Sequence, residues 1–362
     1  MYSIVDRESK RDISPKMALA GMGLVMLLGL AARVWWARPI APFLPIEQDY
    51  LGALRNLVGN PRIWIESPFY GVVGWILLKL GISLPDGLRW LSALAGWMSL
   101  PAIYLAGKEM ASRRTGFYAA LLYALYPTGI LMQKLILPWN LGIPFIIFGF
   151  YWTLRGLYRH ERKGLYIASI LILIGLGFTL KAVLLLPLLL TATICVNRKD
   201  AFYQGVLIFV PALFLGILQF YSAAIMMNPL SGMGHGLFQM IKGIWYFWFW
   251  DLMMLLGWAG IFFLPGKKPL SGYYAAFAFS LVGWAGVGTL NPTLSLAVPF
   301  ILLGGGRMVQ VLLDNSASFL NTLLNIPGDP RRLQTPGKIV MLVIFTLIMI
   351  VMAKNIFLLR GY

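Results

Sequence analysis

Few side chains in this sequence can do acid–base chemistry: 13 Asp and Glu and 2 His, against 30 Lys and Arg, in 362 residues. Four of the acids, Glu47, Asp49, Glu66 and Asp86, follow the first long apolar run. Glu47 and Asp49 stand one residue apart in PIEQDYLGALRNLVGN. A carboxylate held beside a membrane surface can take a proton from an acceptor group or contribute to a divalent-cation site. The same residues also fit a solvated loop, or a helix N-cap at Asp49 leading into YLGALRNLV.

Other polar groups carry paired readings. Lys181 lies between two apolar runs, where an ammonium either meets an anion such as a phosphate or snorkels to the interface. Lys134, in QKLILPWN, is a second cation of this kind. Gln133 and Asn140 in the same stretch offer amides to a sugar or a metal, although such a metal site would be poor in charge. His235, in the Gly-rich MNPLSGMGHGLF, either closes over a substrate or stands apart from it. Asp251, after WYFWFW, is either an intramembrane acid with a function or a hydrated one paired with Lys242. Cys195 is the single cysteine, which removes an intramolecular disulfide and a cysteine metal cluster. No pattern names a cofactor; a divalent cation is compatible with the acids but not indicated.

The elements that must position these groups are apolar helices. Hydrophobic residues make up 59% and charged residues 12% of the chain, and the mean hydropathy is +0.76. Runs at 17–36, 168–180 and 338–359 approach or reach the roughly 20 residues that cross a bilayer. The first run is expected to stay as a span, because it lacks a small-residue cleavage site. The net charge of +17 comes from short basic stretches between spans, which argues against nucleic acid. Aromatic clusters such as WYFWFW suit an interfacial belt.

Basic loops mark the cytoplasmic side: the leader, GKEMASRRTG (107–116), RGLYRHERKG (155–164), NRKD (197–200), GKK (266–268) and the segment from Arg307. Two spans fit between each successive pair: 116–131 and 141–154, 165–180 and 182–196, 203–226 and 246–264, 271–288 and 293–306. Spans 17–36 and 87–107 precede them, and FYGVVGWILLKLGI (69–82) is too short to cross. It is expected to lie along the outer interface, within an external loop 37–86. The result is an all-α multi-pass membrane protein of about 11 transmembrane helices, N-terminus cytoplasmic. Its regions are a leader 1–16, a transmembrane module 17–200 and a C-terminal transmembrane region 201–362 with a cytoplasmic loop 307–337. No short repeat and no duplicated half is visible.

The order of motifs resembles the C-type (GT-C) glycosyltransferases, which include protein O-mannosyltransferases and the aminoarabinose transferase of lipid A. The matching residues are Asp49 and Pro68, then Arg89, Leu91 and Ser92, then Arg113, Arg114, Gly116 and Pro127, then Thr179, Lys181 and Pro187. The resemblance covers residues 17 to 200 best. It implies transfer of a sugar from a polyprenyl-phosphate carrier to a glycan, lipid or protein acceptor on the non-cytoplasmic face. By that likeness Asp49 is the catalytic base and Glu47 its support. Lys181 would meet the leaving phosphate, helped by Arg55, Arg62 or Lys134.

Two departures from the family pattern stand out. Residues 132–140 contain no carboxylate where many relatives carry a second acid, and 289–303 keeps Pro299 without an Arg-Tyr pair. The chain is thus expected to be a divergent relative without the usual soluble C-terminal domain. Other readings from these features are a non-catalytic subunit of a membrane complex, or a lipid or solute transporter.

Overall fold

The computed structural model describes residues 12–36, 45–57, 63–64, 67–126, 129–130, 133, 135–159, 161–179 and 298–316. It also describes single positions near 257–260 and 336–347. Among these residues the secondary structure is helical, with no strand. Lys181, Lys134, Arg62, His235, Asp251, Pro127 and Pro187 lie outside them.

Among the described residues eight helices are delimited, in order: α1 Pro15–Trp36, α2 Pro45–Arg55, α3 Pro68–Lys79, α4 Leu84–Met110, α5 Arg113–Leu125, α6 Pro138–Arg159, α7 Arg162–Phe178 and α8 Val298–Asp314. Two of them are long and apolar enough to cross a membrane, at Pro15–Val34 and Leu84–Met110. Of α1, residues Leu19, Leu24, Leu27 and Leu28 face outward, whereas the core side of the bundle is closed by α4, α5, α6 and α8. Such an apolar exterior suits lipid rather than water.

The tightest pairing is the α6–α7 hairpin. Gly142, Gly149 and Gly156 recur every seven residues on α6, opposite Gly175, Ala168 and Gly164 of α7. A Cβ on Gly142 would lie 3.1 Å from the Gly175 carbonyl, and one on Gly164 3.2 Å from the Gly156 Cα. Small residues along this stripe let the two backbones approach, as apolar helices in lipid require.

Local chemistry sets the ends of the helices. Pro68 fills the first turn of α3, where its missing N–H costs nothing. The helix closes on Gly81 at φ +70°, with Gly81 N–H donating to Leu78 O (3.1 Å) and Ile82 N–H to Leu77 O (3.0 Å). This paired closure needs a left-handed residue, and glycine supplies it. Helix α5 starts at a Ser112 cap, whose Oγ accepts the Thr115 N–H at 3.1 Å. It ends at Leu125 because Tyr126 precedes Pro127 and takes an extended conformation (φ −69°, ψ 111°).

Three boundaries differ from the sequence reading. Within the expected span 116–131, the helix that begins at Arg113 ends at Leu125, before that proline, and residues 129–130 are helical again. Among the described residues of 37–86, helix α2 precedes α3, where one helix was expected. Helix α8 runs on to Asp314, so Arg307 is not the start of a loop but a buried residue of a helix. Its apolar period continues through Val309, Val311 and Leu312, which keeps the packing face intact.

The basic turns GKEMASRRTG and RGLYRHERKG come to one end of the bundle. There Arg159 donates to Glu109 at 2.7 Å, and Arg114 to Asp314 at 3.1 Å. The Asp12 carboxylate receives the backbone N–H groups of Arg113 and Arg114, both at 3.2 Å, and so caps α5 from the leader. The Asp49 helix lies at the opposite end.

Candidate functional site at the Asp49 end

Helix α2 is short and carries its apolar residues on one side. Leu51, Leu54 and Leu57 are buried against Tyr70 and Leu77 of α3, Leu84, Leu88 and Ala95 of α4, and Leu141 and Phe178 at the adjoining ends of α6 and α7. Burial of these side chains holds an 11-residue helix that would not persist alone.

Because Glu47 and Asp49 share a helix, their side chains diverge by about 160° around its axis. Glu47 is 2% exposed, and its Oε1 accepts the Ile136 N–H at 2.9 Å. Asp49 is exposed. The helix begins at Pro45, so Asp49 sits within it and is not an N-cap. Arg55 is exposed in the last turn, about 9 Å along the axis from Asp49.

Next to this pair stands an aromatic group. The Tyr50 ring meets Tyr70 edge-on at 6.0 Å and Trp139 at 6.3 Å. The hydroxyls of Tyr70 and Ser92 are buried with no hydrogen-bond partner among the described residues. Burial, then the neighbouring Tyr50 and Glu47, raises the Tyr70 phenol well above its ordinary pKa. It stays a neutral donor at any working pH.

The stretch between α5 and α6 closes over this end. Asn140 is buried, and its Nδ2 donates to the Leu135 carbonyl at 2.8 Å. Gln133 has both ends of its amide engaged: Oε1 accepts from Arg33 Nε at 2.8 Å, and Nε2 donates to the Tyr123 hydroxyl. It therefore braces the fold and is not free to hold a sugar or metal. Thr179, the residue after α7, lies beside Gly142, where a Cβ would meet its Cγ2 at 3.5 Å. Two residues later in the sequence comes Lys181.

Three of the remaining motif residues turn inward. Arg89 and Ser92 are buried on α4, and Gly116 sits so close to α4 that a Cβ would strike the Tyr104 carbonyl. Arg33 is a further buried cation, with no role expected of it from the sequence. It stood one turn from the end of an apolar run, and only that position hinted at a role. Among the described residues no group of three or more His, Cys, Asp or Glu could hold a metal ion.

Comparison with known proteins bears on this geometry. Residues 66–225 match the family described as dolichyl-phosphate-mannose-protein mannosyltransferase. The apo crystal structure of the Archaeoglobus fulgidus oligosaccharyltransferase superposes with a TM-score of 0.64 at 14% identity, over 95% of this chain and 56% of that one. The Archaeoglobus fulgidus oligosaccharyltransferase AglB, in complex with an inhibitory peptide and a dolichol-phosphate, gives 0.62 at 12% identity, over 94% and 55%. This chain thus spans little more than half the length of those structures. No curated protein sequence matches it. The resemblance drawn from the motifs is met in both comparisons: the family match begins beside Ser67 and Pro68 at the start of α3, and the fold is shared with the archaeal oligosaccharyltransferase.

Proposed function

We propose that the protein is a membrane glycosyltransferase that moves a sugar from a polyprenyl-phosphate carrier to an acceptor at the Asp49 end of the bundle, on the non-cytoplasmic face. The observation that carries this is the exposed Asp49 on a helix fixed by an apolar cluster, beside the 135–140 segment, in a chain of this fold. In the reaction the acceptor O–H or N–H gives its proton to the Asp49 carboxylate. A bond forms from that atom to the anomeric carbon, while the anomeric C–O bond to phosphate breaks and polyprenyl phosphate leaves. A fixed anion also favours the positive character that develops at the sugar.

Lys181, Lys134, Arg55 and Arg62 are proposed as the cations for the leaving phosphate, and Asn140, His235 and Asp251 as further substrate contacts. Glu47 supports Asp49 by holding Ile136 in place. The apolar outward face of α3, with Phe69, Val72, Trp75 and Ile76 exposed, fits a helix bedded in the outer leaflet, where a lipid carrier arrives.

The test is reconstitution in lipid vesicles with dolichyl-phosphate mannose or undecaprenyl-phosphate hexoses and a membrane extract as acceptor source. Transfer of label, lost in Asp49→Asn, supports the reading. A protein that folds and binds donor but transfers nothing with any of these would favour a non-catalytic subunit.

A further inference from the structure

We infer that Arg33 is a positioning residue, which fixes the 133–140 segment against the Asp49 helix; the inference rests on the function proposed above. Arg33 lies within the first candidate span and is 2% exposed. A guanidinium in such a place must find an acceptor for its N–H groups. Nε donates to Gln133 Oε1 at 2.8 Å, one terminal nitrogen to the Gly29 carbonyl at 3.0 Å, and the other to the Tyr123 carbonyl at 3.4 Å. The Tyr123 ring faces the charge at 5.4 Å, a favourable cation–π distance. No carboxylate is among these contacts.

The sequence prepares each partner. In a continuing helix the Tyr123 carbonyl would accept the N–H of residue 127, but residue 127 is proline and has none. Arg33 takes that orphaned acceptor. Gly96 and Gly29 leave the room: a Cβ on Gly96 would strike the Gln133 amide and lie 2.9 Å from Arg33 Nε, and one on Gly29 would lie 3.2 Å from Arg33 Nη1. Gln133 closes the triangle by donating to the Tyr123 hydroxyl.

The consequence reaches the candidate site. Gln133 is pinned to α1 and α5 through Arg33 and Tyr123, and three residues later the Ile136 N–H is pinned to Glu47 on the Asp49 helix. Three side-chain hydrogen bonds thus set the segment that carries Asn140 relative to Asp49. Residues 132–140 hold no carboxylate, and it is the uncharged amide of Gln133 that lies on the buried cation. A misplacement of about 1 Å costs roughly 100-fold in rate, so the node is expected to act on turnover rather than on donor capture.

The test uses the full chain in detergent or vesicles. Arg33→Met keeps length and removes the buried charge, and so avoids the unpaired cation that Gln133→Leu would leave. Gln133→Glu keeps an acceptor for Arg33 and serves as the conservative control. Two readouts are taken: amide exchange across 133–140, and transfer kinetics with dolichyl-phosphate mannose as probe donor. Arg33→Met should speed exchange at Ile136 and lower kcat by about 10- to 100-fold with donor KM nearly unchanged, while Gln133→Glu stays near wild type in both. Unchanged exchange in Arg33→Met overturns the inference, as does faster exchange with unchanged kcat. If the wild-type protein transfers no sugar, the proposed function fails, and the exchange arm alone still decides whether Arg33 holds the segment.

Discussion

Glu47 separates chemistry from support, because its two substitutions part company. Its Oε1 receives the Ile136 N–H at 2.9 Å in a place closed to water. Glu47→Ala leaves that donor without its acceptor, at a cost of about 1–3 kcal/mol, or roughly 5- to 160-fold in the local opening equilibrium of the segment. Glu47→Gln keeps a carbonyl oxygen at the same reach for the Ile136 N–H, so that bond loses the charge assistance, about 1 kcal/mol. Amide exchange at Ile136 should therefore rise strongly in the Ala variant and modestly in the Gln variant. Transfer should follow the same order, with the Gln variant within about 10-fold of wild type. A base would behave differently, losing about 10²–10⁴-fold with either change. Equal inactivity of the Gln and Ala variants, with normal exchange in the Gln protein, would refute the supporting role.

Further outcomes follow from the packing and the charges. Gly116→Ala should destabilise the α4–α5 contact by about 1–3 kcal/mol, seen as a lower melting temperature, since its Cβ meets the Tyr104 backbone. Gly52→Ala, with open space around it on α2, should be neutral or stabilising in the same assay. Asp12→Ala should cost about 1 kcal/mol and loosen the start of α5 in amide exchange, because two backbone N–H groups lose their acceptor. Lys181→Met should weaken donor binding in a titration with polyprenyl phosphate while leaving the melting temperature in place; unchanged binding would remove Lys181 from the site.

Hydropathy and charge made much of the frame legible. Residues 17–36 and 87–107 read as spans correspond to α1 and α4, and a short apolar stretch too brief to cross became α3. The glycines and prolines that end these helices announce themselves in sequence, and Pro127 explains why α5 stops early. Contacts between distant residues do not announce themselves. Arg33 and Gln133 lie 100 positions apart, and nothing local to either distinguishes a brace from a snorkelling arginine or a sugar-binding amide. The Glu47 and Asp49 pair was visible in the sequence as two neighbouring carboxylates, but the divergence of their side chains depends on α2 beginning at Pro45, a start that the apolar pattern alone left open. Helix α8 outran its expected end because Arg307 reads as a loop cation until its burial among α4 and α5 is seen.

Asp49 is proposed to take the proton in a sugar-transfer reaction, and Asp49→Asn in reconstituted vesicles measures that step most directly. The substitution keeps shape and removes basicity at an exposed position, so folding and donor binding should persist. Transfer from dolichyl-phosphate mannose, or from whichever polyprenyl-phosphate sugar the wild type uses, should fall by about 10²–10⁴-fold, equivalent to about 3 to 5 kcal/mol of barrier. Full transfer by the Asn protein would contradict the assignment.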